Sequence, residues 1–136
     1  MTTNDGSTWL RRSLLANAAF SGLSGLVFLA ATQPLAAFLG LSEPWTLTVV
    51  AVSLLLFAGG LFLNARRPVV RRAGAWAAVA LDFGWVLGSG IVIWTGVLSV
   101  PGNWAVAAVA DVVLLFAILQ VVGLGKLRRA GLCCGK

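Results

Sequence analysis

The chain has no histidine and no tyrosine, and its two cysteines, Cys133 and Cys134, are neighbours. Without imidazole there is no His-ligated haem or chlorophyll, no His-based acid/base pair, no Ser-His triad and no His-containing zinc site. Adjacent cysteines do not match the CxxC spacing of a redox motif, and one pair is not a disulfide scaffold. A glycine-rich phosphate loop is missing too, since Gly84, Gly88 and Gly90 sit inside an apolar run where helix packing accounts for them. No enzyme is expected on this inventory, and neither a metal nor another cofactor. Charge is also scarce. Only 10% of the residues are charged and only four are acidic, against about 25% charged in a typical soluble domain.

What the chain has in excess is apolar surface. Its 136 residues are 60% hydrophobic, with a mean hydropathy of +0.97. A soluble domain of similar size still exposes about 30% of the surface of its unfolded chain, so most of these side chains need lipid as their solvent. Four runs reach the length of about 20 residues that a spanning helix requires: 13–32, 45–65, 73–98 and 105–125. Helices are expected, because an open sheet would leave backbone groups unpaired in hydrocarbon and the alternation of a lipid-facing barrel is missing. Pro34 with Ser42, Glu43 and Pro44, then Arg66, Arg67 and Pro68, then Pro101, Gly102 and Asn103 punctuate the gaps. Residues 33–41 read as an interfacial segment or as a continuation of the first helix bent at Pro34. The expected fold is thus an all-α integral membrane protein. It is one domain over 1–136, a compact bundle of four transmembrane helices with tails 1–10 and 126–136.

Every basic residue falls on one side of this scheme. Arg11 and Arg12 precede span one, Arg66, Arg67, Arg71 and Arg72 join spans two and three, and Lys126, Arg128, Arg129 and Lys136 follow span four. Cytoplasmic loops retain Lys and Arg, so both termini are expected in the cytoplasm. The net charge of +6 then orients the chain and touches anionic lipid, and no nucleic-acid partner is expected. Tryptophan marks headgroup depth. Trp76 and Trp94 bracket span three across about 27 Å of helix, Trp9 opens span one, and Trp45 and Trp104 open spans two and four, whereas Trp85 lies mid-span. Ala/Gly/Val/Arg-rich, Lys-poor usage points to a bacterial inner membrane. Arg11-Arg12 followed by an apolar run also fits a cleavable twin-arginine export signal. The cysteines, in a glycine-rich tail, are free thiols or palmitoylation sites.

Against cleavage stands an internal repeat. Asn17, Phe20, Ser24, Gly25, Leu26, Val27 and Phe28 correspond in type to Asp82, Trp85, Ser89, Gly90, Ile91, Val92 and Ile93, and the second arms align Trp45 with Trp104 and Leu55-Leu56-Phe57-Ala58 with Leu114-Leu115-Phe116-Ala117. Two helical hairpins entering from the same side form a parallel repeat. Each copy carries a polar stripe at helical spacing, Asn17/Phe20/Ser24 and Asp82/Trp85/Ser89. Small residues Ala18 and Gly22, and Ala80, Gly84 and Gly88, occupy other faces and suit close helix approach. Spans one and three are therefore expected to meet near a pseudo-two-fold axis, with spans two and four outside them.

Two of the four acidic residues lie at lipid depth, where an ionised Asp costs about 2.5–3.5 kcal/mol on insertion scales. Asp82 is about 9 Å from the inner boundary and Asp111 about 10 Å from the outer one, too far apart to share a proton. Asn17 stands level with Asp82, and Ser53 with Asp111. One expectation is structural hydrogen bonding within those pairs. The other is a proton or cation route from Asp82 to Asp111 with Ser24, Ser89 and Gln120 as relays. Three functions follow. Foremost is a non-enzymatic protein working by intramembrane helix contacts, as an accessory or assembly subunit of a membrane complex or as a homo-oligomer. The alternatives are a proton- or cation-coupled carrier or channel, and a binder of an apolar ligand such as a quinone, carotenoid or lipid between Trp85 and Phe116. Reporter fusions at both ends and within the loop at 66–72 should all report a cytoplasmic location, and one end reporting the opposite compartment would break the orientation.

Overall fold

A computed structural model describes residues 2–133. Cys134 and Lys136, and the side chain of Cys133, lie outside the described residues, so the tail cysteines receive no structural account. Five helices and no strand occur among the described residues: α1 Thr2–Ala30, α2 Thr32–Leu39, α3 Trp45–Arg66, α4 Arg72–Thr95 and α5 Val100–Cys133. All but α2 are long and apolar enough to cross a bilayer. The chain is an all-helical, multi-pass membrane protein.

Proline explains the break between α1 and α2. Pro34 has no N–H to offer the Ala30 carbonyl, and its ring crowds that carbonyl. The helix gives way at Ala31 (φ −122°, ψ 33°), yet Ala31 N still bonds Val27 O at 2.9 Å and Leu35 N bonds Ala31 O at 3.0 Å. Segment 33–41 therefore carries the first helix onward after a bend. It stops at Gly40, whose φ of +76° is the left-handed conformation that favours glycine. Gly40 N donates to Ala37 O (3.2 Å) and Leu41 N to Ala36 O (2.9 Å), the double closure of a Schellman end.

That end is fastened to the start of α5 through one serine. Ser99 N donates to Leu39 O (2.9 Å) and Ser99 Oγ donates to Phe38 O (2.6 Å), while the same Oγ accepts from Gly102 N (3.1 Å). Ser99 is thus the N-cap of α5. Pro101 sits in the first turn, where its missing N–H is harmless. Residues 101–103, expected as a loop, are helical for this reason, and α5 starts earlier than position 105. A Cβ on Gly102 would come within 3.0 Å of Leu39 Cα, so the crossing requires glycine there. In the other direction α4 ends at Thr95 rather than 98, because Gly96 turns left-handed (φ +68°).

The opposite, basic end is tied just as locally. Asn64 clamps Arg71 from both sides, Nδ2 donating to its O (3.2 Å) and Oδ1 accepting from its N (2.9 Å). Arg11 donates to Arg67 O and Pro68 O at 3.0 and 3.3 Å, and Trp9 Nε1 donates to Leu119 O at 3.1 Å. Lys126 Nζ stands 4.5 Å from the Trp9 ring centroid, a cation–π geometry. Where they are described, the segments expected as tails are helical extensions of α1 and α5.

Around the bundle the order is α3, α1, α5, α4. The α1 helix packs along both α3 and α5, and α4 packs along α5, whereas α3 and α4 meet only sparingly. Spans one and three, α1 and α4, do meet, on the diagonal through Asn17 and Asp82, but the expected close approach through their small residues is corrected. Ala18 is buried in the cluster that also holds Leu61 and Ala65 of α3, a Cβ on Gly22 would lie 3.6 Å from Ala58 Cβ, and one on Gly25 would lie 3.0 Å from Ala51 O. The small face of α1 is occupied by its own hairpin partner. On α4, Ala80 and Gly84 are exposed, and a Cβ on Gly84 or Gly88 would meet nothing within 4 Å. The apolar core, which includes Leu10, Leu14, Leu61, Val79 and Leu124, fills the basic half. Replacing Ser99 with Ala should lower stability by about 1–2 kcal/mol, the value of a cap with a second hydrogen bond, measured by unfolding in detergent.

Candidate functional site

Polar side chains converge on the diagonal. Asn17 of α1 and Gln120 of α5 both donate to Asp82 Oδ2 of α4, from Nδ2 at 2.7 Å and Nε2 at 3.1 Å. Ser21, one turn past Asn17, donates to Asn17 Oδ1 at 3.1 Å. All four are buried, with Asn17 and Gln120 at 0% exposure. Three helices therefore meet at a single carboxyl oxygen. Such bonds contribute about 0.6 kcal/mol on average within membranes, but an unpaired partner there costs about 1–3 kcal/mol, so the node selects one packing over its neighbours. Gln120 Oε1 is buried with no hydrogen-bond partner.

Next to the node lies a cavity of about 200 Å³ that draws on all four spanning helices. Phe20, Phe28, Phe57 and Trp85 give it aromatic walls, and Ser21, Ser24, Ser53 and Asp82 give it polar positions. Trp85 Nε1 is shielded and has no acceptor. Phe116 is not in the wall. It packs on Phe20 with ring centroids 5.7 Å apart, so the expected pair of ligand contacts separates, Trp85 lining the cavity and Phe116 supporting it from behind.

The other expected site residues scatter. Ser89 is buried on α4 but lies outside the cavity lining. Ser53 donates to Val49 O of its own helix at 2.8 Å and is exposed. Asp111 is exposed on the outer face of α5 and has no hydrogen bond or ion pair among the described residues. The Ser53–Asp111 pairing is corrected accordingly, because the two side chains do not face each other. Gln120 follows Asp111 by nine residues, about 900° of helix at roughly 100° per residue, which places the two on opposite faces. An interior route from Asp82 to Asp111 is therefore not assembled. Sequence reasoning missed Ser21 and cast Gln120 as a relay rather than a direct ligand of Asp82. The clue to Gln120 is that it shares a helical face with Val113, Ala117 and Leu124.

Among the described residues, no three His, Cys, Asp or Glu side chains gather as a metal site. No protein-family model, curated protein or solved structure matches this chain.

Substituting Asp82 with Ala should destabilise the protein by about 1–3 kcal/mol. In a double-mutant cycle with Asn17→Ala, unfolding in detergent should return a coupling of about 0.6–1.7 kcal/mol.

Proposed function

We propose that this small membrane protein works by lateral helix contact within the bilayer, and that its first partner is a second copy of itself joined through the outer face of α5. The observation that supports this is Asp111, a carboxyl group facing lipid with no partner of its own. Lipid-facing charge at this depth is costly, and the cost disappears once another protein covers it. Ala108, Asp111, Leu115, Ile118 and Val122 follow one another at alternating steps of three and four residues, and all are exposed. That is the seam of a left-handed helix pair, in which one polar residue fixes register. A two-fold axis along the membrane normal sets Asp111 against Asp111 at equal depth, and a carboxyl group can both donate to and accept from its own kind.

Both copies share one orientation, with their basic ends in the cytoplasm, the expected location being a bacterial inner membrane. The start of α1 and the end of α5 lie side by side at that end, as the Trp9–Lys126 contact attests. The role is non-enzymatic. Within a larger complex the same face serves an accessory subunit, with a different membrane protein covering Asp111. Carrier or channel activity through paired carboxylates is less favoured, because Asp82 and Asp111 lie on opposite sides of α5.

The test uses chains in which Cys133 and Cys134 are serine and single cysteines replace Ala108 or Leu115. Oxidation in native membranes should give disulfide-linked dimers at these positions and not at Leu87 of α4. Asp111→Leu should cut the yield severalfold, while Asp111→Asn, whose amide also pairs with itself, should retain it. Monomer alone at every expression level would remove the proposal.

A further inference from the structure

We propose that the cavity beside the Asp82 node binds a lipid-soluble molecule of quinone type, with a single oxygen-bearing ring as its head and an apolar tail that leaves between α3 and α4. Size sets the first limit. The volume of about 200 Å³ is somewhat larger than a cavity of about 150 Å³ known to accept benzene. One substituted six-membered ring fits, whereas a steroid nucleus or a phospholipid head with its glycerol does not.

Chemistry sets the second limit. Aromatic walls from Phe20, Phe28, Phe57 and Trp85 suit the faces of a flat ring. Polar groups stand around that ring without protein partners. Trp85 is not one of them, since it offers its ring while its Nε1–H is sealed from the cavity. Ser24 Oγ forms no hydrogen bond among the described residues. Both hydrogen bonds that reach Asp82 from Asn17 and Gln120 fall on Oδ2, so in the neutral acid Oδ1 carries the O–H and is left to donate to a ligand oxygen. Two oxygens on one ring can accept from the serine hydroxyl and from the carboxyl group, so the ligand must bring acceptor oxygens. A fatty acid would set its own carboxylate against Asp82, and a plain hydrocarbon would leave the Ser24 hydroxyl and the Asp82 carboxyl group without an acceptor.

Access sets the third. The α3–α4 seam is the loosest of the four around the bundle, and Ser53 and Leu81, which line the cavity from those two helices, are both exposed. A tail passing there enters lipid directly. This seam is separate from the α5 face carrying Asp111, so ligand binding and self-association stand or fall separately.

The experiment titrates delipidated protein in detergent with decylubiquinone and follows bound ligand by equilibrium dialysis, with oleate, phosphatidylglycerol and decane in parallel arms. Saturable binding of decylubiquinone is expected, with the other three at least tenfold weaker. Ser24→Ala, which removes the hydroxyl and leaves the cavity open, should weaken binding about fivefold to tenfold. Ser24→Leu, which fills the cavity, should abolish it, with helical content checked by circular dichroism. No saturable binding by the wild type, equal affinity for oleate or decane, or wild-type affinity in Ser24→Ala would each overturn the proposal.

Discussion

In hydrocarbon a polar group cannot fall back on water, and the carboxyl group of Asp82 organises the bundle on that account. Apolar side chains gain little by choosing one another over lipid tails, so shape and hydrogen bonding must decide which helices face which. Asn17, Gln120 and Asp82 belong to α1, α5 and α4, and their hydrogen bonds join these three helices at one carboxyl oxygen. The diagonal contact between α1 and α4 exists for this reason. Small residues then settle how closely the flanking pairs approach, as Gly22 and Gly25 do against α3.

The two hairpins resemble each other in sequence more than in packing. A perfect two-fold would make the α1–α5 and α3–α4 seams equivalent, and only the first is tightly packed. The asymmetry tracks the polar residues. Gln120 fastens α5 to the node, whereas Leu61, its counterpart in the first hairpin by the alignment of Trp45 with Trp104, is apolar and sits in the core. One seam is drawn inward by hydrogen bonds while the other is left slack, and the cavity lies beside the slack one.

Much of this could be read from residue order. Spans and their approximate ends follow from hydropathy and punctuation, because both report position along the chain. Direction around each helix was harder to recover. Ser53 and Asp111 share an expected depth, yet the first bonds its own backbone and the second faces outward. The decisive arithmetic was present in α5, where Asp111 and Gln120 cannot both point inward and the alanines at 110 and 117 mark the inner side. For α4 the glycine stripe misled, since Gly84 and Gly88 line an outer face. Which of two small-residue faces is used depends on the neighbour, and a single helix does not specify its neighbour. The ends α2 and Ser99 illustrate another limit, as a serine that caps one helix while holding the carboxyl end of another is a tertiary event.

Ser21 has a meaning for biogenesis. Membrane chains are threaded from the N-terminus, so the first hairpin reaches lipid before the helices that carry Asp82 and Gln120 do. Throughout that interval the Asn17 amide oxygen already has a donor one turn away on its own helix, and only its amino group waits. The early half of the molecule is in this way kept nearly neutral in its hydrogen-bonding demands, and the late half arrives to a docking point already oriented for it.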